Sequence, residues 1–288
     1  MTRPSRRVAV IGAGTMGSGI AHASASAGWQ TVLTDADPDA LSAAMTAIEG
    51  VLKGAVTRQK MTAQDAGQIR GRLRIEPALP EACREADLVI EAVFEDLEVK
   101  RDVLGQAGAS AGPDALLASN TSSLSVAAIA RGVAKPERVI GLHFFNPVHL
   151  MRLVEIIVPE SASVATREEA EEVVRAMGKE AVVVKDSPGF ASSRLGVVLG
   201  LEAMRMLEQG VASAADIDRA MELGYNHPMG PLKLTDLVGL DVRLRIAEHL
   251  HSTLRDAQYE PPAILRRLVA EGRLGKKTGG GFYDYPAT

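Results

Sequence analysis

The chain has 288 residues, which is enough for two domains, or one large domain, with a substantial buried core. Apolar residues make up 46% and charged residues 24%, which argues against a disordered or fibrous protein. The formal net charge of -4, without any long basic run, argues against nucleic acid as a partner. Cys83 is the only cysteine, and no apolar stretch approaches the ~20 residues that span a bilayer. We therefore expect a soluble cytoplasmic protein with no metal site and no membrane partner.

From Arg7 to about Asp186, short runs of β-branched residues alternate with longer amphipathic segments. This alternation is typical of βαβ units and predicts an α/β fold with a mainly parallel sheet. The predicted strands are Val8–Ile11, Thr31–Thr34, Arg74–Ile75, Leu88–Ala92, Leu116–Ser119 and Val139–Phe144. Segments between them, such as Gly17–Gly28 and Asp39–Arg58, carry apolar residues at helical spacing and are predicted to be helices.

A turn-rich break, Lys185–Gly189, follows the β-rich run Val182–Val184 and predicts a domain boundary. We place the first domain at residues 1–186 and a smaller domain at residues 187–288. The second domain is predicted to be all helical, because its periodic segments show no convincing strand. These segments are Arg194–Gln209, Ser213–Leu223, Leu232–Leu250 and Pro262–Glu271.

A glycine-rich motif, G-x-G-x-x-G at Gly12, Gly14 and Gly17, lies between the first predicted strand and the first helix. In this context the glycines permit a tight turn and close approach to a pyrophosphate at the helix N-terminus. Asp35 follows the next strand, where its carboxylate can bind an adenosine ribose and would repel a 2′-phosphate. The motif predicts a Rossmann-type doubly wound sheet that binds NAD rather than NADP. The alternative interpretation is a tight turn with a helix-capping aspartate.

Two β-rich runs flank the Asn146–Pro147 turn, and an antiparallel hairpin there would place His143 opposite Glu155. A neutral imidazole can take a hydroxyl proton while hydride leaves the same carbon, and a facing carboxylate stabilises the imidazolium. The pair therefore predicts alcohol oxidation. The alternative interpretation is a buried histidine that satisfies a local hydrogen bond.

A second polar cluster, Ser119–Ser125, follows the predicted strand Leu116–Ser119 and so lies at another carboxyl end of the sheet. Its hydroxyls can hold a substrate oxygen. Alternatively, Ser122 or Ser123 caps the helix that we predict to begin near Leu124.

Four motifs together resemble the 3-hydroxyacyl-CoA dehydrogenase family, particularly its bacterial 3-hydroxybutyryl-CoA members, over nearly the whole chain. The motifs are Gly12–Gly17, Ser119–Ser123, His143–Pro147 and Gly275–Gly279. The resemblance implies that His143 is the general base, Glu155 its partner and Ser122 a donor to the reacting oxygen. It also implies a set of cofactor-binding positions: Gly12, Gly14, Thr15, Met16, Gly17, Asp35, Glu95, Lys100 and Lys277.

One departure from the family pattern concerns the substrate. Ser193 stands where the family commonly has an asparagine that helps to bind the substrate carbonyl, and a serine lacks the second group of the amide. Asn146 is a further candidate for substrate binding. Lys53, Arg58 and Lys60 are candidates for contacts to coenzyme A phosphates, although a solvated helix face is the favoured interpretation for any one of them.

The resemblance also implies a homodimer formed through residues 187–288, with the active site in the cleft between the domains. Two alternatives to the acyl-CoA function remain open from the sequence. One is a dehydrogenase of a free hydroxy or sugar acid that resembles L-gulonate dehydrogenase. The other is a non-catalytic NAD-binding protein.

Overall fold

A computed structural model describes residues 5–286 of the chain. The chain divides into two compact units, the first ending at Ser187 and the second beginning at Pro188. We call them the sheet unit and the helical unit.

The sheet unit contains one eight-stranded sheet in the order β3-β2-β1-β4-β5-β6-β7-β8. The strands are β1 (Arg7–Ile11), β2 (Gln30–Thr34), β3 (Leu73–Ile75), β4 (Leu88–Glu91), β5 (Leu116–Ser119), β6 (Val139–Phe144), β7 (Leu153–Val158) and β8 (Glu180–Lys185). All neighbouring strands are parallel except β6 and β7, which are antiparallel. The predicted doubly wound, mainly parallel sheet is confirmed. The chain order reverses between β1 and β4, which is where ligands bind such sheets.

Seven helices connect these strands: α1 (Thr15–Ser26), α2 (Pro38–Thr57), α3 (Ala63–Gly71), α4 (Leu79–Cys83), α5 (Leu97–Ser110), α6 (Val126–Ala130) and α7 (Val164–Ala176). The start that we predicted for α6 near Leu124, with Ser122 or Ser123 as its cap, is wrong. Ser125 caps the helix through a hydrogen bond from Ala128 N to its Oγ. Of several neighbouring hydroxyls that can cap a helix, the chain uses the one nearest to Val126.

The core cluster of the sheet unit lies against one face of the central strands, and the opposite face, which carries Ala9 and Val89, is fully buried as well. Val10, Leu88 and Ile140 belong to this core and are each fully buried. Every residue of β6 is buried, which is typical of a parallel sheet covered by helices on both sides. A polar side chain on this strand is therefore held rigidly and shielded from water.

Over residues 188–286, the helical unit contains five α-helices: α8 (Ser192–Glu208), α9 (Ala214–Gly224), α10 (Pro231–Val238), α11 (Leu240–Leu254) and α12 (Ala263–Ala270). The predicted all-helical class is confirmed. The single helix that we predicted at Leu232–Leu250 is wrong, because Gly239 adopts a φ of 105° and separates α10 from α11. Within residues 5–286, we find no helix with the length and apolarity needed to cross a bilayer.

Candidate active site

The glycine motif forms the turn between β1 and α1. Gly12 has a φ of 101°, and a side chain there would come within 2.6 Å of the Ala92 carbonyl oxygen. A Cβ on Gly17 would lie only 1.7 Å from the Gly12 carbonyl oxygen, so only glycine allows helix and turn to pack this closely. By contrast, a Cβ on Gly14 would meet no atom within 4 Å. This open space at the start of α1 fits a pyrophosphate, which would accept hydrogen bonds from the first helical N–H groups.

Asp35 follows β2 and faces the same turn. One carboxylate oxygen accepts a hydrogen bond from Ala13 N at 2.6 Å, and the other accepts one from Asp37 N at 2.9 Å. A cavity of about 650 Å³ adjoins this carboxylate and is lined mainly by apolar side chains, including Met16, Leu79 and Phe94. An apolar cavity beside a carboxylate fits the base and ribose of an adenosine. None of the described residues that line it is a lysine or arginine, so a 2′-phosphate would find no cation there.

His143 and Glu155 are paired directly across the antiparallel strands β6 and β7, as we predicted. The histidine Nδ1 lies 2.8 Å from Glu155 Oε2, and the residues are only 7% and 1% exposed. Because an ionised carboxylate only accepts hydrogen bonds, Nδ1 carries the proton and Nε2 is the basic nitrogen of the neutral ring. The Phe145 ring packs on the imidazole with a centroid distance of 4.4 Å. Burial thus shields the imidazole from water, and the contact with Glu155 fixes its orientation.

The serine-rich segment after β5 is organised by Glu95. Its Oε1 accepts hydrogen bonds at 2.7 to 3.2 Å from the Thr121 hydroxyl and from both the backbone N–H and the hydroxyl of Ser122 and Ser123. Burial alone would raise the pKa of Glu95, but the Lys100 ammonium and the bonds from Thr121 and Ser122 lower it. The side chain of Glu95 is therefore an ionised carboxylate, and it holds the serine-rich segment in place. The Ser122 hydroxyl has to turn away from Glu95 before it can donate to another oxygen.

Lys100 lies beneath this segment, and its side chain is 1% exposed. Its Nζ is 2.7 Å from Glu91 Oε1, 3.3 Å from Glu95 Oε2 and 3.1 Å from the Val93 carbonyl oxygen. Sequence reasoning missed Glu91, which is fully buried and also accepts a bond from the Ser119 hydroxyl at 2.6 Å. A carboxylate on the last residue of the buried β4 is the signal that could have identified it.

Asn120 is another residue whose role the sequence did not reveal. Its side-chain oxygen accepts a hydrogen bond from Phe144 N at 2.9 Å, which ties the serine-rich segment to the end of β6, one residue after His143. The structure thus brings together the ends of β4, β5 and β6. Asn146 lies in the exposed turn beyond β6, where it lines a cavity of about 200 Å³ with His22 and His149.

The three candidate phosphate contacts are exposed at the end of α2. Lys53 lies on the last turns of this helix, whereas Arg58 and Lys60 follow it, and none of the three forms an ion pair with a described residue. They are accessible to a phosphate. Their surroundings show no built pocket, so either of the alternatives posed by the sequence remains open.

Two further site candidates belong to the helical unit. Ser193 lies in the first turn of α8 and is half-buried. Lys277 lies in a short 3-10 turn, and its Nζ is 2.6 Å from Asp241 Oδ1. The Lys277 ammonium is thus held by a carboxylate of its own unit.

Comparison with known proteins identifies both units. Residues 7–187 match the model of the 3-hydroxyacyl-CoA dehydrogenase NAD-binding domain, and residues 189–285 match that of the family's C-terminal domain. A probable 3-hydroxybutyryl-CoA dehydrogenase from Bacillus subtilis is 42% identical over 280 residues, which cover 97% of each chain.

Two further relatives are informative. The crystal structure of (S)-3-hydroxybutyryl-CoA dehydrogenase PaaH1 from Ralstonia eutropha is 37% identical with a TM-score of 0.94, covering 99% of this chain and 100% of that one. The 3-hydroxyadipyl-CoA dehydrogenase of Escherichia coli is 42% identical over 97% of this chain and 59% of that protein. The chain therefore belongs to the 3-hydroxyacyl-CoA dehydrogenase family and is an NAD-binding oxidoreductase.

Proposed function

We propose that this enzyme interconverts (S)-3-hydroxyacyl-CoA and 3-oxoacyl-CoA, acting on short acyl chains such as 3-hydroxybutyryl-CoA. The observation that carries the proposal is the buried hydrogen bond between His143 and Glu155 at 2.8 Å. The relatives named as 3-hydroxybutyryl-CoA dehydrogenases support the short acyl chain.

His143 is the general base of the proposed reaction. During oxidation Nε2 takes the proton of the 3-hydroxyl group, and Glu155 stabilises the imidazolium that forms. In the reverse direction the imidazolium returns this proton to the 3-oxo oxygen. The Ser122 hydroxyl, once turned from Glu95, donates a hydrogen bond to the same oxygen and orients it.

The residues that fit NAD are those of the glycine turn and the segment after β2. Gly12, Gly14 and Gly17, with the N–H groups of Thr15 and Met16, would hold the pyrophosphate, and Asp35 would hold the adenosine ribose. When bound, NAD supplies the acceptor for the hydride. Glu95, Lys100 and Lys277 are proposed to lie near it on the strength of the resemblance alone.

The function is tested by following NADH absorbance with acetoacetyl-CoA and with longer 3-oxoacyl-CoA substrates that end in a methyl group. We expect turnover, with the highest kcat/KM on the four-carbon acyl chain. Failure on every 3-oxoacyl-CoA, together with oxidation of a free sugar acid such as L-gulonate, would contradict the proposal.

A second candidate substrate is suggested by the Escherichia coli relative, whose name specifies 3-hydroxyadipyl-CoA. Its acyl chain ends in a carboxylate. The buried Arg243 of the helical unit favours this candidate.

We further propose that the enzyme is a homodimer formed through the helical unit. Large apolar side chains in this unit are exposed, among them Leu195 at 73%, Leu223 at 67% and Tyr225 at 74%. A specific interface would bury more than about 1,000 Å² in total. Light scattering coupled to size-exclusion chromatography should give twice the mass of the chain, and a monomer at all concentrations would contradict the proposal.

A further inference from the structure

Arg243 is a buried cation without a counter-charge. It lies on α11 and is 6% exposed, its Nε has no hydrogen-bond partner, and it forms no ion pair with any residue that the structure describes. The carboxylates of the same helix are engaged elsewhere, because Asp241 binds Lys277 and Glu248 binds Arg266. Burial lowers the pKa of Arg243 to about 10, so the guanidinium is still charged at neutral pH. A buried charge of this kind is costly unless something pairs with it.

The guanidinium lies against α8. A Cβ placed on Gly196 would be 3.2 Å from Arg243 Nη1, so the absence of a side chain at residue 196 makes room for the charge. Ser193 is three residues earlier and therefore on the same face of the helix. Ser193 and the Arg243 guanidinium thus lie along one face of α8, about one turn apart.

The spacing fits an acyl chain of defined length. One helical turn is about 5.4 Å long. The five bonds from the thioester carbon to the far carboxyl carbon of a six-carbon acyl group span about 6 Å, by the same extended-chain geometry as a backbone. The family resemblance implies that residue 193 contacts a substrate carbonyl. With the thioester carbonyl placed there, the far end of such a chain reaches the level of Gly196 and Arg243.

We propose that Arg243 binds a terminal carboxylate on the acyl group, so that the substrate class includes 3-hydroxyacyl-CoA esters of dicarboxylic acids of about six carbons. The inference rests on the proposed function, because it takes the acyl-CoA to be the substrate. A guanidinium pairs with a carboxylate through two parallel hydrogen bonds, which is the strongest partner for this side chain. A methyl-terminated chain would leave the charge unpaired.

The test compares two acyl-CoA probes that differ only at the far end of a six-carbon chain: adipyl-CoA ends in a carboxylate and hexanoyl-CoA in a methyl group. Their Kd values are measured by calorimetry on the full-length enzyme saturated with NAD. We expect adipyl-CoA to bind at least about tenfold more tightly to the wild type. Arg243→Met should reduce this preference to about twofold or less, and Arg243→Lys should retain part of it. The matched control is Arg245→Met, an exposed arginine of the same helix, which should keep the full preference.

Each other outcome overturns the inference. A wild type that binds adipyl-CoA and hexanoyl-CoA equally tightly overturns it even if every variant misfolds. An Arg243→Met enzyme that keeps the wild-type preference for adipyl-CoA also overturns the inference. If the mass of this variant in solution then differs from that of the wild type, the guanidinium contacts a second copy of the chain. Because these affinities need no turnover, they separate the inference from the proposed function: an enzyme that reduces acetoacetyl-CoA without preferring adipyl-CoA contradicts only the inference, whereas failure to reduce any 3-oxoacyl-CoA contradicts the proposed function.

Discussion

The two units of this enzyme treat buried charge in opposite ways. In the sheet unit the Lys100 ammonium, 1% exposed, contacts Glu91 and Glu95, and those carboxylates in turn hold the residues around Ser122. In the helical unit Arg243, 6% exposed, forms no ion pair with a described residue, and its Nε has no hydrogen-bond partner. A paired charge fixes the geometry of a site in advance, whereas an unpaired charge gains its partner from a ligand. The comparison predicts that removing the two cations will change stability with opposite signs.

Removal of the paired cation should have the largest effect. We expect Lys100→Met to lower the free energy of unfolding by about 3–5 kcal/mol, because it leaves the fully buried Glu91 without its counter-charge. Urea unfolding of the variant measures this loss. Adding Glu91→Gln to the variant should restore part of the stability, since the uncompensated charge is then gone. A loss below about 1 kcal/mol would show that the pair is not the buried network described above.

Removal of the unpaired cation should have a smaller effect of the opposite sign. Arg243→Met replaces a desolvated charge by an apolar side chain of similar length, and we expect the free energy of unfolding to stay constant or to rise by about 1–3 kcal/mol. The same urea experiment, without acyl-CoA, provides the measurement. A loss as large as that of Lys100→Met would remove the contrast between the two units.

The cofactor end of the sheet unit offers a third test. Asp35→Ala should raise the KM for NADH about tenfold, or about 1.4 kcal/mol, and reduce the preference for NADH over NADPH. Initial rates with the two cofactors measure both effects. Asp39→Ala, which removes an exposed carboxylate in the first turn of α2, is the control and should leave both values unchanged. Unaltered cofactor selectivity in Asp35→Ala would contradict the role given to this carboxylate.

A fourth test concerns pH and stability. Burial, His149 and Lys179 lower the pKa of His22 to about 4, and its Nδ1 has no hydrogen-bond partner among the described residues. The unfolded chain, with an ordinary histidine pKa of ~6.5, binds a proton between about pH 6.5 and 4 that the folded state does not bind. Stability should therefore fall as the pH drops through this window.

The His22→Gln variant isolates that contribution. From about pH 7.5 to about pH 5, the wild type should lose about 1–2 kcal/mol more of its unfolding free energy than the variant does. Urea unfolding at both pH values provides the difference, in which the contributions of other groups cancel. An equal loss in the two proteins would show that His22 titrates normally.

The sequence predicted what depends on local pattern. The glycine turn follows from residue type alone, and the pairing of His143 with Glu155 follows from two strands and a turn of countable length. The sequence could not predict that one oxygen of Glu95 gathers bonds from three residues some 26 to 28 positions away, because those contacts depend on how β4 and β5 align.

Two features of the helical unit were not predicted from the sequence. A charged residue such as Arg243, in an amphipathic helix, is ordinarily exposed, and its burial depends on the missing side chain of Gly196 on another helix. The break at Gly239 was also missed, because apolar spacing continues across the glycine from Leu237 to Leu240. Tertiary packing decides the burial of Arg243, which leaves no signal within one segment, whereas Gly239 itself was the local signal of the break.

The proposed role of His143 is tested most directly by His143→Gln in single-turnover reduction of acetoacetyl-CoA by bound NADH. The account predicts a rate lower by about 10²- to 10⁴-fold, with NADH affinity within about twofold of the wild type. A rate within a few-fold of the wild type would contradict proton transfer by this histidine.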